Sequence, residues 1–284
     1  MSSSTITQTK FSLGAYGLRI VGLDGADSVL VSAAASWPLV EIAIGIGRLD
    51  ADEEFVHDHH SRIRLRTGGW IELDRDPGRA RFTVPAQLSA EELVHPFLAP
   101  VAAVYAHWHG RESVHAGAIA LGSTVWGIVG DRLGGKSSLL ATLALAGTDV
   151  VCDDVLVVDG QSVFAGPRTV DLREDAAAAL GVGDEIGLAG ARERWRLKLE
   201  PLDRPLTIGG FVFTQWSDEL EMRRLPASET LAGLFRNRSL RVPPRDPAAF
   251  LQFSALPAWE LRRPRSWESL PATLELLLGM LADP

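Results

Sequence analysis

Eight consecutive residues, Gly130-Asp131-Arg132-Leu133-Gly134-Gly135-Lys136-Ser137, carry the clearest chemical signal in the chain. They fit the pattern G-x-x-x-x-G-K-[ST], in which glycines let main-chain N–H groups turn toward phosphate oxygens. An apolar, strand-like run (Val125 to Val129) enters the stretch, and a good helix former (SSLLATLALA) leaves it. A helix starting there adds unpaired N–H groups and the positive end of its dipole. Lys136 offers an ammonium to terminal phosphates and Ser137 a hydroxyl to Mg²⁺, with Ser138 in the same first helical turn. The chemistry is that of binding ATP with Mg²⁺. The competing reading is a glycine-rich turn that merely joins a strand to a helix.

Asp153 and Asp154 lie 17 and 18 positions after Lys136, at the end of the run Asp149-Val150-Val151-Cys152. One helix and one short turn fill that gap, so the pair is expected on the strand next to the loop. Adjacent carboxylates in a cationic site can divide labour: one ligates Mg²⁺, the other accepts a proton from an incoming hydroxyl. Without the loop, the pair would read as an ordinary acidic turn. His115 opens the strand-like run before Val125 and falls at the loop mouth if the two runs pair. A lone histidine is more often structural.

These residues need a scaffold of alternating strands and helices, and the sequence supplies one. Between residues 111 and 160 the order reads strand, strand, loop, helix, strand, with a turn at Gly122-Ser123. Upstream, Ser89 and Glu92 have capping-box spacing, and His95-Pro96 breaks or restarts the helix they begin. Downstream, strands are expected around Trp195–Leu199 and Ile208–Thr214, and helices near Ser228–Phe235 and Leu270–Leu281. From Phe11 to Val84 short β-rich runs alternate with Asp24-Gly25, Gly68-Gly69 and Asp76-Pro77-Gly78, which predicts a mostly antiparallel sheet. Residues 1–9 are small and polar, and fraying is expected there. The predicted organisation is a β-rich region over 1–86 and an α/β phosphate-loop domain over 87–284.

Composition narrows the function classes. The net charge of −8 argues against a nucleic-acid partner. Arginines do gather late, at Arg236, Arg238, Arg241, Arg245, Arg262, Arg263 and Arg265. They read as a solvated rim, with a phosphate or acidic-peptide contact as the sharper alternative. The run His57-Asp58-His59-His60 is read as a solvated loop, because neighbouring residues on a strand point to opposite faces. Cys152 is the single cysteine, so no disulfide forms within the chain. No run approaches the ~18 apolar residues of a spanning helix, and the start lacks the pattern of a signal peptide. A cytoplasmic protein with no membrane partner is expected.

Three blocks together resemble the HPr kinase/phosphorylase family, and the broad bacterial set of HPr-kinase-related proteins above all. They are Ser113-Val114-His115-Ala116-Gly117-Ala118, then VGDRLGGKSSL, then VVCDDVLVV. The resemblance is specific over about residues 108–160. It is softer over FAGPRTVDLRED and the last hundred residues, and says little about residues 1–85. It implies an α/β phosphate-loop core of the HPr kinase/phosphoenolpyruvate carboxykinase type and transfer of phosphate to a protein serine. It further implies His115 by the transferring phosphate, Lys136 on the β/γ-phosphates, Ser137 on Mg²⁺, Asp153 as base and Asp154 as metal helper. Sequence alone does not separate the two aspartates. Family members often assemble, so a homo-oligomer is a further implication. Two departures stand out. Leu133 occupies a place where the family usually has glycine, and the later Glu-x-Arg-Gly-Leu-Gly motif is absent. The motif would supply a second metal ligand and substrate contacts. Its absence points away from HPr and toward another acceptor, such as the serine of a ribosomally made precursor peptide. Arg168 and Arg173 are candidates to replace its contacts, with structural ion pairs as the alternative. The readings from sequence are therefore an ATP-dependent serine kinase, a non-catalytic nucleotide-binding regulator or scaffold, and a small-molecule kinase.

Overall fold

The computed structural model describes residues 12–282 except 52; the expected frayed segment 1–9 lies outside the described residues. The chain begins with β1 (Leu13–Ala15), β2 (Leu18–Val21), β3 (Val31–Ser32), β4 (Leu39–Ile46), β5 (Phe55–Val56), β6 (His60–Arg64), β7 (Trp70–Asp74) and β8 (Arg79–Val84). These strands form one sheet in the order β3-β1-β2-β4-β8-β7-β6-β5. Burial alternates along β4 and β8, as a sheet with one covered face requires. The sheet is mostly antiparallel, as expected, but β2, β4 and β8 run parallel at its centre. Long connections, including the β5–β7 meander, return the chain to the same end before each parallel strand.

Ser89 closes a capping box with Glu92 at the start of α1 (Ala90–Glu92). The helix then breaks through an irregular turn, Leu93–Phe97, and resumes as α2 (Leu98–Trp108). The break falls at His95, whose φ of −152° and ψ of 122° are extended, as expected for a residue preceding proline. Nearly every residue of α2 is buried. A helix apolar on all sides needs cover on all sides, and its core is continuous with both the first sheet and the next one.

The central sheet is built from β9 (Glu112–Val114), β10 (Ala116–Leu121), β11 (Thr124–Gly130), β12 (Asp149–Cys152), β13 (Leu156–Asp159), β14 (Ser162–Phe164), β18 (Thr207–Trp216), β19 (Glu221–Arg224) and β20 (Ala258–Arg263). A small third sheet pairs β15 (Thr169–Leu172), β17 (Arg192–Lys198) and β16 (Asp184–Ala189), in that order. The remaining helices are α3 (Lys136–Leu145), α4 (Glu174–Leu180), α5 (Ala227–Arg236), α6 (Pro247–Ser254) and α7 (Leu270–Ala282). The expected single run around His115 is split into β9 and β10, and the one around the aspartates into β12 and β13.

Strand β10 pairs antiparallel with both β11 and β12. The crossover through α3 therefore steps over β10, and β12 runs in the same direction as β11. Helix α3 lies tight on the sheet: a Cβ on Gly117 would stand 2.3 Å from Leu140. The register Ala116↔Val129 and Ala118↔Cys152 places the start of β10 and the ends of β11 and β12 at one edge. Strands β18 and β20, both parallel to this direction, end there too, with Gly130↔Thr214 and Trp216↔Arg263 in register. Ligand sites of α/β sheets form outside such carboxyl ends.

Candidate phosphate-loop site

The loop leaves β11 at Gly130 and turns through Asp131–Gly135 into α3. Its backbone is held by a Gly134 N–H to Asp131 O bond of 3.0 Å and by a Leu139 N–H to Gly135 O bond of 3.0 Å. Leu133 takes φ 67° and Gly135 φ 73°. Gly135 has a second reason to lack a side chain, since a Cβ would meet the Arg263 guanidinium at 2.4 Å and the Trp216 ring at 2.6 Å. Trp216 Nε1 donates to Leu133 O at 3.1 Å, and Arg263 Nη2 donates to Gly135 O at 3.1 Å. Arg263 stacks on Trp216, 4.2 Å from the ring centroid. These two side chains from β18 and β20 brace the turn. Arg263 is therefore not part of a solvated rim: it is buried, and burial lowers its pKa to about 10. Arg238 is also enclosed, near Glu112.

Lys136 is buried and its Nζ donates to Gly130 O at 2.6 Å and Asp131 O at 3.2 Å. Burial lowers its pKa, while Asp153, Asp154 and Asp131 act in the opposite direction. Asp131, Arg132 and Leu133 are exposed and Gly134, Gly135, Ser137 and Ser138 partly so. The turn is thus an open rim. Two cavities lie elsewhere. One of about 240 Å³ is lined by His115, Arg238 and Ser239 over an apolar floor of Ala99, Ala103 and Val155. The other, of about 110 Å³, lies between the Ala26 region and β16–β17.

The aspartate pair occupies the turn between β12 and β13. Strand β12 is not next to the loop strand, as the sequence suggested, but one place removed, because β10, joined to β11 by a tight turn, fills the position between them. The pair still reaches the loop: Ser137 Oγ donates to Asp153 Oδ1 at 3.3 Å. The same oxygen accepts the Asp154 N–H at 2.9 Å, which steadies Asp154 at φ 69°. Asp tolerates this left-handed region better than most residues. Tyr16, from the first sheet, is buried beneath the turn and donates its hydroxyl to Asp153 O at 3.3 Å.

The two carboxylates differ in environment. Asp153 is buried, and desolvation followed by repulsion from Asp154 pushes its pKa up from 3.8 to about 6. Burial also opposes ionisation of Asp154, but the attraction of His95, then His115, Arg194 and Lys136, outweighs it and lowers the pKa. His115 Nδ1 lies 2.9 Å from Asp154 O. A carbonyl only accepts, so Nδ1 carries the hydrogen and Nε2 keeps its lone pair. Burial, then Lys136, lowers the pKa of His115 and favours this neutral ring.

The structure thus brings together Lys136, Ser137, Asp153, Asp154 and His115. It sets Arg168 apart: its guanidinium is buried and donates to Glu200 O at 2.8 Å and Val150 O at 2.7 Å, a structural staple. Arg173 stands near Arg192, whose cationic form it disfavours after burial has done so. Sequence reasoning missed His95, whose Nε2 is 3.2 Å from Asp154 Oδ2. It was read only as a helix break. It also missed Tyr16 and Arg194, which carry no motif. His57 stacks on Phe55 and His60 bonds Asp74, so the histidine run is not brought together on one ion.

The donors present fit a divalent cation. Ser137, Asp153 and Asp154 offer hard oxygen ligands, and Asp153 Oδ2 is a buried oxygen with no hydrogen-bond partner.

No protein-family model matches the sequence, and no curated protein matches it. Among solved structures, the HPr(Ser) kinase/phosphatase from Coxiella burnetii aligns with 60% of this chain and 97% of its own length, at 13% identity and a TM-score of 0.30. Likeness at that level carries no functional argument, and the reading below rests on the site itself. The chain is a mixed α/β protein with several sheets. Among the described residues no helix is long and apolar enough to cross a membrane.

Proposed function

We propose that this chain is an ATP-dependent phosphotransferase that delivers the γ-phosphate to a hydroxyl, with a serine of a protein or precursor peptide as the acceptor. One observation carries the reading: Ser137, at the start of the helix that follows a G-x-x-x-x-G-K-S turn, bonds a buried aspartate of raised pKa at 3.3 Å. That contact joins a phosphate-binding element to a proton-accepting one.

Backbone N–H groups of the turn and the start of α3 would hold the phosphates, and Lys136 would exchange its bonds to Gly130 O and Asp131 O for phosphate oxygens. Ser137 and Asp154 would hold Mg²⁺. The ion, when bound, supplies positive charge to phosphate oxygens. The acceptor hydroxyl oxygen forms a bond to the γ-phosphorus as the bridging bond to the β-phosphate breaks. Its proton passes to Asp153, and ADP leaves. His115 presents a neutral ring beside the site. The cavity of about 240 Å³ that it lines is a suitable seat for the acceptor, with Arg238 and Ser239 on its wall.

The test is transfer of label from γ-labelled ATP to serine peptides, with Lys136→Ala and Asp153→Asn as controls. Each variant should lower transfer by roughly 10²-fold or more. Label transfer that survives both changes removes the mechanism. Tight ATP binding with no transfer to any acceptor makes the chain a nucleotide-binding regulator instead.

A further inference from the structure

We propose that His95 is a metal ligand, and that His95, Asp153 and Asp154 form a three-residue site that favours Mn²⁺, Co²⁺ or Zn²⁺ over Mg²⁺. One ligand atom from each of the three lies within 4.8 Å of the other two. Metal–ligand bonds of about 2.0–2.2 Å separate neighbouring donors by roughly 3–4 Å, so small side-chain movements suffice to close the site. His95 Nε2 already faces Asp154 Oδ2 at 3.2 Å.

The second observation is independent of that ion pair. Asp153 is only 4% exposed, and its Oδ2 has no hydrogen-bond partner, whereas Oδ1 serves both Ser137 Oγ and the Asp154 N–H. A buried carboxylate oxygen without a donor loses its hydration and gains nothing in return. A cation held by the Asp153 and Asp154 carboxylates would offset that loss, and the imidazole completes a donor set of one nitrogen and two oxygens.

The chain positions His95 deliberately. Extended backbone ahead of Pro96 interrupts the helix at this residue. The ring is buried, and its own carbonyl lies 3.5 Å from Arg196 Nη2. Arg196 is itself fixed by two bonds of 2.8 Å to Asp171. Oxygen-only sites suit Mg²⁺, and adding imidazole shifts preference toward the later first-row ions. The site shares two carboxylates with the proposed phosphotransferase but needs no nucleotide, so it rests on that reading only for those residues' accessibility to ions.

The experiment is Mn²⁺ binding to the purified full chain without nucleotide, followed by electron paramagnetic resonance. Pulsed measurements on the wild type should show hyperfine coupling from a directly bound imidazole nitrogen. His95→Gln should lose that coupling and bind Mn²⁺ on the order of 10–100-fold more weakly. Mg²⁺ should displace Mn²⁺ from the wild type only in large excess. Bound Mn²⁺ without nitrogen coupling, no Mn²⁺ binding, or equal affinity in His95→Gln overturns the proposal. His115→Gln should keep the coupling, so its spectrum beside that of the wild type decides for His95 even if His95→Gln fails to fold; loss of the coupling in His115→Gln overturns the proposal. Nitrogen coupling with no phosphate transfer sinks only the kinase reading; transfer with Mg²⁺ and no coupling sinks only this one.

Discussion

Leu133→Gly should make the protein more stable, although it removes an apolar side chain. Leu133 sits at φ 67°, in the left-handed region, where a Cβ is crowded by the neighbouring carbonyl. The cost for an L-residue is about 1–2 kcal/mol. Its side chain is 62% exposed, so truncation forfeits little burial. The main-chain carbonyl that accepts from Trp216 remains in the variant. Glycine adds freedom to the unfolded chain, which costs about 0.4–1 kcal/mol. The net expectation is a gain of about 0.5–1 kcal/mol. For a chain of this size that is a rise of roughly 1–4 °C in Tm. Leu133→Asn should gain part of this, since Asn tolerates the left-handed region. Leu133→Ala keeps the Cβ and should gain nothing. Thermal and urea unfolding of the four proteins gives the ranking. If alanine matches glycine, the side chain rather than the backbone is responsible and the argument fails. If glycine is the least stable, the left-handed turn itself is refuted. The outcome bears on function, because the proposed phosphate contacts depend on the backbone of this turn. A loop that adopts the turn despite Leu133 keeps its inward amides.

Other outcomes follow from the same geometry. Gly135→Ala should destabilise by about 1–3 kcal/mol and abolish nucleotide binding, because the new Cβ meets Arg263 and Trp216 at a positive φ; unchanged Tm and ATP affinity would contradict the packing. In the presence of chelator, Asp153→Asn should raise stability above pH 6 by roughly 1–3 kcal/mol. Folding raises this acid's pKa from 3.8 to about 6, so the native state binds more protons in that window. Stability is therefore lost as pH rises through it, and the variant's advantage in urea unfolding should vanish near pH 4. An advantage that does not change with pH would refute this. His115→Ala should lower transfer while leaving ATP affinity within a few fold, measured by calorimetry beside steady-state rates. An equal loss in both would make the ring structural.

The local chemistry was legible in sequence because it is local. A strand, a glycine-rich turn and a helix are contiguous from Val125 to Ala146, so spacing alone places Lys136 and Ser137 on the turn. The Ser89–Glu92 cap was readable for the same reason. The aspartate pair was legible as a pair. That it sits one strand further away, and still reaches Ser137, depended on β10 lying between β11 and β12. Hydrogen-bonding order in a sheet is not written in the period of its strands. His95 shows the limit most clearly. In sequence it is the residue before a proline, 58 positions from Asp153. Only packing of the broken helix beside the central sheet turns its ring toward Asp154. Likewise Arg263 and Trp216 join the site from distant strands, and Tyr16 from the turn between β1 and β2. Sequence determined which residues could bind phosphate, through short-range backbone geometry. Tertiary structure decided which charges face them, because burial and pairing between remote segments set those contacts and the pKa values that follow.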